Sequence, residues 1–451
     1  MAKKQYDVVI IGGGPAGITA TRILGGSSEK LSVAVIRPED YSMIYCAMPY
    51  VIEDVLPLEK TFKADTLVTE NGADLIRDTV VQVDFDKKEL QTEKGDTVGY
   101  GKLMIATGAV PVIPAIPGSE AKNVMGFKTE KDLVKVLNMV ENNLQNAVVV
   151  GAGAIGIELA LALKAKGVDV HLVDMLGQIL PNLADGEMVE EVQQSLVSGG
   201  INLHLNARVT ALNGGEQITE VVLDNGPAIK LGDGSNGKGL VVFAVGMRAV
   251  VGLFEETDLA LGRNGILVNS GMETNIPSVY AAGDCAEYHS GITGKIIEGK
   301  LATNAVPMGK TAARRILGEG AEYTGFYNGA ATKVYDYRIG GTGLTEKSAA
   351  ENGYTLVTGY GKTTTKFPII PGAGKVRVKL IVDQGSRKII GGQVVGHEAV
   401  AERIDLLTFA IQREATVDDL AQLSYSAQPY QTFYPAGNAI VMAATDVIGK
   451  L

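Results

Sequence analysis

The chain has 451 residues, 56 of them glycine and 15 proline. Glycine stands at about 12% against a usual ~7%, with no G-X-Y period, and 46% of residues are apolar, which excludes collagen and disorder. The net charge of −10 argues against a general nucleic-acid or anionic-membrane binder, and two cysteines, Cys46 and Cys285, rule out a disulfide framework.

Met1 leads through Lys3 and Lys4 directly into Val8-Val9-Ile10-Ile11. That run is too short for a signal-peptide core or a membrane span, so a cytoplasmic protein without a membrane span is expected. It reads as a buried parallel strand, closed by the turn Gly12 to Gly17 and followed by a helix from Ile18 to Leu24. Leu31 to Ile36 is the next strand, which completes a βαβ unit. Thr79 to Phe85 and Lys102 to Ala106 read as sheet additions.

The same grammar returns at Ala147 to Val150, with a turn over Gly151 to Gly156 and a helix from Ile157 to Lys166. Val168 to Val173 is its second strand. Leu240 to Val245 and Ser278 to Ala281 are further strands, and Ala302 to Leu317 is a helix. From about Gly325 the pattern changes. Ala331 to Tyr337, Tyr354 to Tyr360, Lys375 to Val382 and Lys388 to Val395 read as strands between turn signals. A helix from Ala399 to Glu414 and a Tyr/Pro-rich tail follow. The fold class is α/β, with two Rossmann-like domains and a C-terminal α+β domain.

A dinucleotide pyrophosphate needs close backbone approach. The first glycine allows the tight turn, the second admits the phosphates, and the third lets helix pack on strand. The helix N-terminus then offers free N–H groups and a positive dipole end. Gly12, Gly14 and Gly17 fit these roles, as do Gly151, Gly153 and Gly156. A lone turn of this kind is weak evidence, whereas two in strand–turn–helix context are strong. Asp174, at the end of the second unit's second strand, suits the ribose hydroxyls and repels a 2′-phosphate, which favours NADH over NADPH. The first unit has no acid at the equivalent place, and Arg37 or Glu39 is the substitute.

With both turns in place, the chain resembles the pyridine nucleotide–disulfide oxidoreductases, flavoproteins with two dinucleotide sites. Ala106-Thr107-Gly108 looks like the family's crossing from the FAD to the NAD domain, and Phe243 to Gly246 like the return. Thr274 to Asp284 matches its second FAD motif. The resemblance implies FAD at Gly12, Gly14, Pro15, Ala16, Gly17, Arg37, Val81, Ala106, Thr107, Gly108, Gly283, Asp284, Ala302 and Thr303. It implies NADH at Gly151, Gly153, Ile155, Gly156, Glu158, Asp174 and Gly246. It assigns FAD to residues 1–118 and 247–323, NAD(H) to 119–246, and dimerisation to 324–451, and thus a homodimer.

A redox disulfide of this family would need a second cysteine close to Cys46, and there is none. Cys285 follows Asp284 and reads as structural. The Ser42 to Tyr50 segment resembles the single-cysteine branch, in which the thiol sits at a helix N-terminus beside the flavin. The alternative for Cys46 is a buried small hydrophobe. That branch includes reductases of coenzyme A disulfide, persulfide or polysulfide, NADH peroxidases and NADH oxidases. Its peroxidases and water-forming oxidases carry a histidine inside the first glycine turn, where this chain has Pro15. Tyr425 and Tyr430 resemble the tyrosines that coenzyme A disulfide reductases place in the partner's site, with Tyr434 a further candidate. Ordinary interface packing is the other reading. Lys366 and Lys375 are either contacts for an anionic substrate or solvated surface lysines. The expected reaction is NADH-dependent reduction of a small disulfide, persulfide or polysulfide through FAD and Cys46. The alternatives are an NADH oxidase, with O₂ as acceptor, or electron transfer to a protein such as rubredoxin.

Overall fold

Val8, Val9 and Ile10 lose nearly all solvent contact, because the strand Lys3–Ile11 has parallel neighbours on both sides. The computed structural model that shows this describes residues 3–232 and 238–451. The chain divides into two compact units. One comprises the chain to Val112, Lys128–Glu130 and Gly246–Phe326, and the other comprises Ile113–Phe127, Lys131–Val245 and Tyr327–Leu451.

The first unit is built on a parallel sheet in the order Ala73–Arg77, Val33–Arg37, Lys3–Ile11, Thr97–Ile105, with Val279–Ala281 pairing on the far side of Thr97–Ile105. Continuous β-branched runs suit such a sheet, since both faces are covered. The start of Thr97–Ile105 also pairs antiparallel with Glu89–Thr92, which pairs with Val80–Asp84. The helices Pro15–Gly25 and Ala302–Ile316 pack against each other, and Gly309 leaves no room for a Cβ against the backbone of Ala16.

The second unit holds a five-stranded parallel sheet in the order Val124–Gly126, Gly239–Phe243, Asn146–Val150, Asp169–Val173, Asn202–His204. It also holds an antiparallel sheet in the order Ala330–Val334, Tyr337–Gly343, Ile389–Gly396, Lys375–Asp383, Leu356–Thr364. The helices Val400–Gln412 and Ala439–Ile448 pack on this sheet. No described helix is long and apolar enough to cross a membrane.

One expectation needs correction. Ala331 to Tyr337 is not one strand: the chain reverses at Tyr335, with φ +48°, and returns as Tyr337–Gly343. The Tyr/Pro-rich tail ends in the helix Ala439–Ile448, where the Asn438 side chain accepts from the N–H groups of Ile440 and Val441.

Candidate active site

The first glycine turn is shaped by collisions avoided. Gly12 has φ +114°, and a Cβ there would strike the carbonyl of Ala106. A Cβ on Gly17 would strike the carbonyl of Gly12. Gly14 differs: a Cβ there would meet nothing within 4 Å. Gly14 also caps the helix Pro15–Gly25, whose first-turn N–H groups meet no side-chain cap among the described residues. That is a cradle for an anion. Arg37 braces the turn from beneath. It is 2% exposed, lies against Gly13 and reaches Ser42 Oγ, which donates to the Gly13 carbonyl at 2.6 Å. Its Nη2 donates to Asp65 at 2.6 Å, while its buried Nε has no partner. Glu39, the other candidate for this position, is exposed.

Gly283 and Asp284 come to the same end of the sheet. A Cβ on Gly283 would lie 3.1 Å from Ala16 and 3.4 Å from Ala305, so Gly283 sits between the starts of the two packed helices. Ala302 and Thr303 are exposed in the first turn of the second helix, which also has no side-chain cap. Asp284 lies 3.5 Å from the ammonium of Lys128. Burial pulls the pKa of Lys128 and of Lys300 below the usual lysine range, and Asp284 opposes that shift in both. Neither lysine carries a motif, so sequence reasoning missed both. Thr107 donates to the Val250 carbonyl at 2.7 Å, and Gly108 has φ +76°. Ala106 supplies the carbonyl that Gly12 must clear. Val81 is half-exposed on the edge strand Val80–Asp84. The open space at Gly14, the uncapped helix starts and the unpaired Arg37 Nε fit the pyrophosphate end of a dinucleotide such as FAD.

Cys46 is exposed, in the 3₁₀ turn Tyr45–Ala47 that precedes the helix Met48–Ile52. It is therefore not a buried hydrophobe, and the helix after it is only five residues long. Its neighbour Tyr45 has its ring 6.0 Å from the ammonium of Lys128, and burial pushes the Tyr45 phenol up. Tyr45, Lys128 and Asp284 thus run from beside the thiol to the Gly283–Asp284 pair. Cys285 is fully buried, and burial pushes its thiol up, away from the reactive thiolate.

The second turn repeats the first. Gly151 has φ +109° against the Ala244 carbonyl, Gly156 has no room against the Gly151 carbonyl, and Gly153 faces open space. Gly153 caps the helix Ala154–Ala165 without a side-chain bond. Asp174 accepts from the Ala152 N–H at 2.7 Å and from the Leu176 N–H at 2.8 Å. Its carboxylate is thereby fixed beside the turn, and each oxygen keeps further acceptor capacity. Ile155 is half-exposed in the helix's first turn. Glu158 accepts from the Thr332 hydroxyl at 2.7 Å. Gly246 has φ +120° and belongs to the first unit.

The C-terminal tyrosines cluster within the second unit. Tyr425 donates to the Pro435 carbonyl at 2.6 Å and meets Phe433 edge-on. Tyr434 meets Phe367 in the same way. Tyr430 is 66% exposed, and Ile369 is 84% exposed in the loop whose Phe367 N–H donates to the Pro429 carbonyl at 3.0 Å.

The model of the pyridine nucleotide-disulphide oxidoreductase family matches residues 6–309, and that of the family's dimerisation domain matches residues 330–432. An NADH oxidase of Methanocaldococcus jannaschii is 34% identical, over 98% of this chain and 99% of its own length. A CoA-dependent NAD(P)H sulfur oxidoreductase of Pyrococcus abyssi is 31% identical over 98% of both chains. Among solved structures, an NAD-dependent persulfide reductase from A. fulgidus matches with a TM-score of 0.91 at 30% identity. That match covers 98% of this chain and 83% of the other.

Proposed function

The chain belongs to the pyridine nucleotide-disulphide oxidoreductase family, and from that premise we propose that it uses NADH to reduce a small disulfide, persulfide or polysulfide at Cys46. The observation that carries this reading is the contrast between the two thiols: Cys46 is open to a substrate, and Cys285 is sealed in the core. The Cys46 thiolate attacks one substrate sulfur, the S–S bond breaks, and the departing thiolate takes a proton. A mixed disulfide remains on Cys46. With no second cysteine nearby, no internal exchange resolves it. The electron pair that NADH brings must do so, releasing the second thiol and restoring the Cys46 thiolate. Bound FAD supplies the two-electron relay between the hydride donor and the sulfur.

The first glycine turn, the starts of the helices Pro15–Gly25 and Ala302–Ile316, and Asp284 would hold FAD. The second turn, with Asp174 on the adenosine ribose, would hold NADH. The corresponding division is FAD on 1–118 and 247–323, NADH on 119–246 and dimerisation on 324–451. The exposed Ile369 and Tyr430 suit burial against a second copy in a homodimer, and a free thiol suits the reducing cytoplasm.

A second reading, NADH oxidase, is favoured by the full-length likeness to the M. jannaschii protein. Cys46→Ser separates the two. NADH-dependent reduction of polysulfide and of coenzyme A disulfide should fall on the order of 10³-fold, with FAD content unchanged. If the variant reduces either at the wild-type rate, the thiol mechanism is wrong. If the wild type turns over with O₂ alone in a panel that includes rubredoxin, the oxidase reading replaces it.

A further inference from the structure

The strand Lys375–Asp383 carries Lys375, Arg377 and Lys379 at alternate positions, so all three stand on one face of the C-terminal sheet. Lys362 pairs directly across from Arg377, and Tyr360 across from Lys379. The charges of this ladder meet different fates. Lys379 is fully buried and sits among three carboxylates, those of Asp185, Glu187 and Glu346. Among the described residues Arg377 has no acidic partner: its Nη2 donates to the backbone carbonyl of Glu187 at 3.1 Å, and its buried Nε has no acceptor there. Neither Lys362 nor Lys375 forms an ion pair among the described residues. In a chain of net charge −10, three neighbouring cations that form no ion pair among the described residues need an explanation.

These same side chains surround a cavity. Lys362, Lys375, Arg377 and His397 line it, together with Tyr337, Glu191, Val395 and Gly396, and its volume is ≈ 30 Å³. The walls are held closely, since a Cβ on Gly374 would lie 2.7 Å from that of His397, and one on Gly396 would lie 2.7 Å from the Lys375 carbonyl. Three cations face one carboxylate, that of Glu191. The unpaired guanidinium N–H is a donor that burial makes costly to leave empty. The enclosed space is small, so it takes in a single charged group such as one tetrahedral oxyanion and not the whole of a larger ligand.

We propose that this cavity is a binding site for a phosphate-type dianion, held by Arg377, Lys362 and Lys375 and separate from both dinucleotide turns. The dianion is either free or the exposed end of a phosphate monoester. Guanidinium and ammonium donors give such a group short, charge-assisted hydrogen bonds.

The test is calorimetric titration of the FAD-loaded protein with inorganic phosphate and, separately, with glycerol 3-phosphate, at fixed ionic strength. One saturable site per chain is expected. Arg377→Gln should weaken it about tenfold or more. The double variant Lys362→Gln/Lys375→Gln, both exposed positions, should do the same without touching the sheet's interior, and it keeps the test valid if the arginine variant folds poorly. Exposed Lys87→Gln should change nothing. Binding of phosphate alone marks a closed ion site, and binding of both marks one open to an ester; either upholds the site. No saturable binding to the wild type, or binding that the lysine double variant leaves unchanged, overturns it.

Discussion

Asp174 does two jobs with one carboxylate. Its bonds to the N–H groups of Ala152 and Leu176 fix it beside the second glycine turn, and each oxygen keeps a further lone pair for an added donor. On the proposed NADH site, a negative charge held there would select for ribose hydroxyls and against a 2′-phosphate. Asp174→Ala should therefore raise KM for NADH about tenfold while leaving KM for NADPH nearly unchanged or lower. Steady-state kinetics with both cofactors checks this, and equal losses for both would show a merely structural role. The first unit has no such residue. Arg37 occupies the region beneath the turn, committed to Asp65 and Ser42, with one N–H left over. Sequence inspection left Arg37 and Glu39 as equals. Only the packing against Gly13 separates the buried brace from the exposed acid.

The two strand–turn–helix elements were the most legible part of the chain, because their chemistry is local. The first and third glycines of each turn answer to a backbone carbonyl, Ala106 and Gly12 in one and Ala244 and Gly151 in the other, while the second faces open space. Gly156 illustrates how little slack exists: an added methyl would strike the Gly151 carbonyl and push the helix off the strand. Gly156→Ala should weaken NADH binding by about tenfold, within the cost of ~1–3 kcal/mol usual for overpacking. FAD content should stay at the wild-type level, read from the visible spectrum. Elements whose reasons lie far away in sequence were less legible. Tyr337–Gly343 contains three glycines and carries no clear strand pattern, yet Gly340 and Gly341 are required because Ile404 and the Leu183 carbonyl press against that strand. The last helix announced itself locally, through Asn438 as N-cap and Gly449 after its end, but the preceding Tyr/Pro-rich segment masked it. Lys128 and Lys300 belong to no motif, and only the folded chain brings them to Asp284.

At the scale of the whole molecule, the Lys379 network is the largest buried electrostatic commitment described. Glu187 shows its pH consequence. Burial alone would raise its pKa, but the bond from Lys379 holds it below the usual carboxylate range. A carboxylate with a depressed folded pKa stabilises the fold above the unfolded value near ~4.3, and that contribution is lost as pH falls through the depressed value. The unfolding midpoint should accordingly hold between about pH 5 and 7 and fall below about pH 4. Lys379→Met leaves three carboxylates facing one another. It should cost about 3–5 kcal/mol at neutral pH and flatten the acid dependence, both measurable by chemical denaturation. Light scattering should give twice the chain mass of 47.4 kDa if the exposed Ile369 and Tyr430 meet a second copy. One last consequence comes from the twin turns. Because Gly12–Gly14–Gly17 and Gly151–Gly153–Gly156 avoid the same collisions in the same order, a single fragment common to both cofactors would, on the proposed assignment of the two turns, be recognised twice by one chain. Adenosine diphosphate should thus act as a mimic at two addresses, competing with NADH during turnover and slowing the uptake of FAD by the stripped protein. Cellular nucleotide levels would then bear on maturation as well as on rate.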